Sequence, residues 1–153
     1  MKKLLAILSV VLFANQASAN DVELASQAYQ RGDYNEALDL WQSLADKGNL
    51  DAMQSIGFLH YNGLGVSQNY SLAAEWYEKA ASAGHPAAQT DLGFMYLNAL
   101  GVEKNEAKGL QLYKLASNQG HPLGMHNLGE LYYGGKLVER NISMAFDLFQ
   151  RAH

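Results

Sequence analysis

Residues 87–122 read AAQTDLGFMYLNALGVEKNEAKGLQLYKLASNQGHP, and the same arrangement recurs on either side at a spacing of 36 residues. Gly93 has counterparts in Gly57 and Gly129, each preceded by a branched aliphatic residue: Ile56, Leu92 and Leu128. Gly48, Gly84 and Gly120 keep the spacing, as do Val66, Val102 and Val138, and Ala80, Ala116 and Ala152. Tyr77, Tyr113 and Phe149 hold an aromatic in register, and His85-Pro86 returns as His121-Pro122. Matches of this number at one period mark a repeat architecture, whose units bury their apolar faces by stacking on one another. The full units are 51–86, 87–122 and a shortened 123–153, and a smaller unit occupies 21–48.

Each full unit reads as two helices. Pro86 opens helix A of the second unit, a place where its missing N–H costs nothing. Ala88, Leu92, Met95 and Tyr96 then follow at helical spacing. A loop comes next, with Gly63 and Gly65 in the first full unit and Gly101 in the second. Asn69, Asn105 and Asn141 stand where an N-cap is needed, because the Asn oxygen accepts from the free N–H groups of a first helical turn. Helix B, for example Ser71 to Ala83, ends at a glycine suited to a left-handed conformation, Gly84 or Gly120. The fold expected is therefore all-α, an α–α solenoid of stacked helix pairs.

The glycine inside helix A needs its own explanation. Glycine costs ~1 kcal/mol in a helix interior relative to alanine. A cost repeated at Gly57, Gly93 and Gly129 points to close approach of another element, and helix B of the same unit is the element expected there.

Residues 1–19 differ from the rest. Lys2-Lys3 is followed by an apolar run from Leu4 to Ala14 and then by Ala17-Ser18-Ala19. That is the layout of a secretory signal peptide, with cleavage expected after Ala19. The run is too short for the ~20 residues of a membrane-spanning helix. Loss of Lys2 and Lys3 leaves 9 of the 11 basic residues against 15 acidic ones, a formal charge of −6. Such a balance disfavours nucleic acid and anionic membrane surfaces as partners. The chain has no cysteine, which excludes disulfides, thiolate chemistry and lipidation of an N-terminal cysteine.

The pattern Ala-x3-Leu-Gly-x2-Tyr, Gly-x-Gly-Val, Ala-x3-Tyr-x2-Ala-x3-Gly resembles the Sel-one-like repeat, a branch of the tetratricopeptide superfamily. Ala88, Leu92, Gly93, Tyr96, Gly101, Val102, Tyr113, Ala116 and Gly120 carry it in one unit, and Ala52, Gly57, Gly63, Gly65, Val66, Ala73, Tyr77, Ala80 and Gly84 in another. The smaller unit has Gly32-Asp33-Tyr34 and Ala37-Leu38 where the tetratricopeptide motif places its turn. Departures are Ile56 for the helix-A leucine, His60 for the helix-A tyrosine, Gly109 for a helix-B alanine, and Leu137 for a loop glycine. Leu137 is expected to reshape the third loop.

The resemblance implies a non-catalytic adaptor, scaffold or regulator of the bacterial cell envelope, binding a segment of another envelope protein on the face of helix A. It implies no cofactor. Carried onto this chain, that face holds Gln54, Phe58 and Tyr61, then Thr90, Phe94 and Leu97, then His126, Glu130 and Tyr133. The alternative for Phe58 and Phe94 is ordinary core between repeats. Some exported proteins similar to this family are hydrolases of β-lactams or cell-wall fragments, but they are rich in cysteine pairs, which this chain lacks. A glycan-binding envelope protein is the third reading.

Motifs for catalysis are missing: no Gly-x-Ser-x-Gly, Ser-x-x-Lys, His-Glu-x-x-His or phosphate-binding glycine loop occurs. Gly63-Leu64-Gly65 lacks a third glycine. His126 and Glu130 share a helix face at the spacing of two metal ligands, yet a stable site needs three or four. His85 and His121 recur with the repeat and read as structural turn residues. Asn69-Tyr70-Ser71 and Asn141-Ile142-Ser143 match the glycosylation pattern, but their place at helix starts favours the capping role. Phe146 falls in register with Ala74 and Leu110, positions that meet a following unit, and so predicts an exposed apolar edge open to self-association.

Overall fold

The chain's computed structural model describes residues 19–153, and these are helical without any strand. The leader expected over 1–19 lies, Ala19 apart, outside the described residues. Helix α1 spans 19–31. It is followed by α2 (Tyr34–Asp46), α3 (Leu50–Asn62), α4 (Tyr70–Ser82), α5 (Pro86–Asn98), α6 (Glu106–Asn118), α7 (Pro122–Gly134) and α8 (Ile142–Arg151). From α2 onward each packs on the next, and α5 also touches α7, so these two A helices stack. None of the described helices is long and apolar enough to cross a membrane.

The corners between units share one construction. Gly84 takes φ +95, and its N–H bonds to Ala81 O while that of His85 bonds to Ala80 O. These are the two bonds of a Schellman motif, which satisfies carbonyls that the helix end leaves free. Gly48 and Gly120 repeat it, with Asn49 N–H on Leu44 O and His121 N–H on Ala116 O. The residue after the glycine then caps the next helix. Asn49 Oδ1 accepts from Ala52 N, His85 Nδ1 from Ala88 N, and His121 Nδ1 from Gly124 N.

The loops within units are equally regular. Asn69, Asn105 and Asn141 cap α4, α6 and α8 by accepting from Leu72, Lys108 and Met144 N–H. Their own N–H groups bond back to His60, Tyr96 and Tyr132 carbonyls. Helix A ends in the left-handed region each time, at Gly63, Ala99 and Gly135. The third loop keeps the length of the others. Its change is local: Gly65 and Gly101 have φ of +69 and +67, whereas Leu137 stays out of the left-handed region.

Small residues let the layers approach. A methyl on Gly93 would stand 2.8 Å from Tyr113 Cδ1, and one on Gly129 would stand 2.6 Å from Phe149 Cε1. Helix B thus packs its aromatic onto the helix-A glycine of its own unit. Ala73, Ala80, Ala88 and Ala116 are fully buried between the layers, with Ile56, Leu59, Leu92 and Met95. Each large aliphatic side chain buried there contributes ~1.5–3 kcal/mol before conformational costs.

Candidate functional site

Alongside the packed core, α3, α5 and α7 leave an open hollow of about 310 Å³. Phe58, Tyr61 and Asn62 come from α3, Thr90, Asp91 and Phe94 from α5, and Leu123 and Asn127 from α7, with Tyr77 of α4 behind them. Phe58 and Phe94 are 37% and 42% exposed, although Gly57, Leu59, Gly93 and Met95 beside them are buried. Both line the hollow, with part of each ring left in solvent. Tyr29 of α1 supports Phe58 edge-on at 6.3 Å, and Tyr70 packs on Tyr61 at 5.1 Å.

Asp91 is the one charged side chain lining the hollow. Its Oδ2 accepts from Gln54 Nε2 at 2.7 Å. Burial holds its carboxyl above the ordinary range, against the opposing effects of the Gln54 bond and of His85. Burial, and then the Asp91 charge, also pushes the Tyr77 phenol up. Tyr113 is pushed up to about 12, mainly by burial.

The nine residues expected on this face divide into groups. Phe58, Tyr61, Thr90 and Phe94 line the hollow, and Gln54 reaches it through Asp91. Thr90 is 1% exposed, its Oγ1 3.0 Å from Pro86 O and 3.1 Å from His121 Nδ1. His121, the cap of α7, covers it. Leu97 and Glu130 line a shallower neighbouring depression with Phe94, Lys136 and Leu137. His126 lies against the Phe149 ring at 5.3 Å. Tyr133 is 49% exposed outside both depressions, and Arg140 Nε donates to its carbonyl. Among the described residues no three His, Cys, Asp or Glu side chains gather as metal ligands. Phe146 is 57% exposed, touching Phe149 edge-on at 6.5 Å.

Asp91, Asn127 and Leu123 escaped the sequence reading. Position 91 is in register with Ser55 and Asn127, and that polar column was the available signal. His85 and His121 are more than turn residues, since they cap α5 and α7. Their register with Asn49, an ordinary capping type, carried that information.

A family model for the Sel1 repeat matches the chain four times, over residues 22–49, 50–85, 86–121 and 122–152. The chain belongs to the Sel1 repeat family. The smaller first unit is thus matched as a Sel1 repeat too. Among solved structures, a Sel1 repeat protein from Oxalobacter formigenes is 33% identical, with a TM-score of 0.80 over 86% of this chain and 54% of that one. The protein c5321, a protective antigen of uropathogenic Escherichia coli strains with an SLR fold, is 32% identical, with a TM-score of 0.79 over 95% of this chain and 32% of that one. The chain thus spans about half the length of the first and a third of the second. Helicobacter pylori cysteine rich protein B shares the fold at 16% identity and a TM-score of 0.56. No match was found among curated protein sequences. Sel1 repeats generally mediate protein–protein interaction.

Proposed function

We propose that this Sel1 repeat chain is a non-catalytic interaction module of the bacterial cell envelope that holds a partner segment on the wall formed by α3, α5 and α7. The carrying observation is the pair Phe58 and Phe94, exposed in equivalent positions of successive repeats at one hollow. Large apolar side chains that a fold leaves on a concave surface are those that supply binding energy when a partner covers them. The signal-peptide pattern of residues 1–19 supports export, and the acidic balance favours a basic or neutral partner over nucleic acid.

The test is photocrosslinking in cells from position 61 or 133, with mass spectrometry of the captured species. Alanine at Phe58 and Phe94 abolishes capture and leaves the thermal midpoint nearly unchanged. Capture that survives both substitutions overturns the proposal. Fractionation of cells expressing the full chain tests the envelope location. The exposed Phe146 edge of α8 offers a second contact, with another copy of the chain. Light scattering that gives the same mass for the parent and for Phe146→Asp rules that contact out.

A further inference from the structure

The chemistry of the hollow selects one kind of occupant, given the proposal that this face binds a partner. Asp91 Oδ2 is engaged by Gln54, while Oδ1 has no hydrogen-bond donor among the described residues. The fold does not demand a carboxylate here, because the equivalent positions in the flanking repeats hold Ser55 and Asn127. Charge occurs only in the middle repeat, where walls from both neighbours converge. A carboxylate drawn out of water without a full set of donors is costly, and a cation relieves that cost.

We infer that the hollow receives the side chain of an arginine from a partner segment, its guanidinium on Asp91 Oδ1 and its flat faces against the aromatic wall. Three features favour arginine over other cations. Phe58, Tyr61 and Phe94 present ring faces and edges, on which a planar, weakly hydrated guanidinium stacks and a compact ammonium does not. The guanidinium has five donors, and the hollow offers acceptors beyond Asp91 in Asn62, Asn127 and the Tyr77 hydroxyl. Asn62 spends its amide nitrogen on Phe58 O at 2.9 Å, which leaves its oxygen free to accept. The volume of about 310 Å³ sits at the low end of ligand pockets and has room for an arginine side chain. Leu123, half exposed at the rim, covers an apolar neighbour of that arginine.

The experiment titrates the full chain with acetyl-arginine-amide, acetyl-lysine-amide and acetyl-citrulline-amide, followed by amide chemical shifts in NMR. Citrulline keeps the shape of arginine and removes the charge. Arginine binds saturably, moves the amides of Asn62, Asp91 and Phe94, and binds about tenfold more tightly than citrulline, with lysine between them. Asp91→Asn, which keeps shape and the Gln54 bond, and Asp91→Ser, which copies position 55, both bring arginine down to the citrulline level. Unchanged shifts elsewhere in each variant confirm an intact fold. Equal binding of citrulline, shifts that map away from the hollow, or arginine binding that survives both substitutions overturns the inference. If arginine fails while Phe58→Ala still abolishes crosslinked capture, the inference falls and the binding face stands. If arginine binds at Asp91 while capture survives Phe58→Ala, the binding-face proposal falls instead.

Discussion

The ring of Tyr77 occupies the space that a side chain at position 57 would need: a methyl on Gly57 would stand 2.6 Å from Tyr77 Cε1. Tyr77 is 2% exposed and has nowhere to retreat. Gly57→Ala gains ~1 kcal/mol of helix propensity but incurs overpacking and a shifted backbone, ~1–3 kcal/mol. The net outcome expected is a loss of up to about 2 kcal/mol in urea unfolding. Gly129→Ala loses less, because Phe149 is only partly buried and swings outward. Equal stability of Gly57→Ala and parent would show that the glycine is not there for Tyr77.

Ala99 is the one non-glycine residue with positive φ, at +54, among the described residues. Its counterparts Gly63 and Gly135 pay no Cβ penalty at the same helix end. A left-handed alanine costs ~1–2 kcal/mol, offset in part by its stiffer unfolded chain. Ala99→Gly therefore raises stability by about 0.5–1 kcal/mol, read as a later urea midpoint at constant slope.

His121 accepts the Gly124 N–H through Nδ1, so the cap requires the unprotonated ring nitrogen. Burial, with His85 as a smaller cause, holds its pKa below the ordinary histidine value. A depressed folded pKa means that the full stabilisation is present above about pH 6.5 and is lost as pH falls through and below it. His121→Asn keeps a capping oxygen, as Asn49 does in register. Its stability relative to the parent rises as the solution is acidified from pH 7.5 to 5.5, in thermal melts. Part of the acid loss remains, because burial also lowers the pKa of His60, whose Nδ1 is buried without a partner.

Asp91 has the opposite sign. Its folded pKa is raised by burial, so its charge opposes folding at neutral pH, and that penalty fades as pH falls into the ordinary carboxylate range. Asp91→Asn is more stable than the parent at pH 7, and the gap narrows on acidification toward pH 4. A gap that widens instead would mean that the carboxylate is stabilised in the fold.

Much of this architecture was visible in the chain. Capping by Asn69, Asn105 and Asn141 and the packing role of Gly57, Gly93 and Gly129 depend on residue types with narrow conformational uses, repeated at a fixed period. The site was legible only where it lies on one helix. Phe58, Tyr61 and Phe94 follow from the helix-A layout that the family resemblance implies, but Leu123 and Asn127 reach the hollow from the next repeat, and nothing local announces them. The burial of Thr90 was hidden for a similar reason, since His121, 31 residues further along the chain, packs on it. Ala99 could not be read at all, because alanine carries no preference for the conformation it adopts there.

The corner histidines reach in one direction. His85, the cap of α5, meets Asp51 Oδ1 on α3 through Nε2 at 2.9 Å, and His121, the cap of α7, meets Thr90 Oγ1 on α5 through Nδ1, so each reaches back to helix A of the preceding helix pair. Each histidine corner thus finds its partner on a helix that the ribosome has already made. Growth from the N-terminal side never leaves a ring waiting for a partner, whereas deleting the helix pair α3–α4 strands His85 at the start of α5. The stack is in this sense vectorial: trimming helix pairs from its C-terminal end removes each histidine with the helix it caps, whereas trimming them from its N-terminal end removes the partner and leaves the histidine.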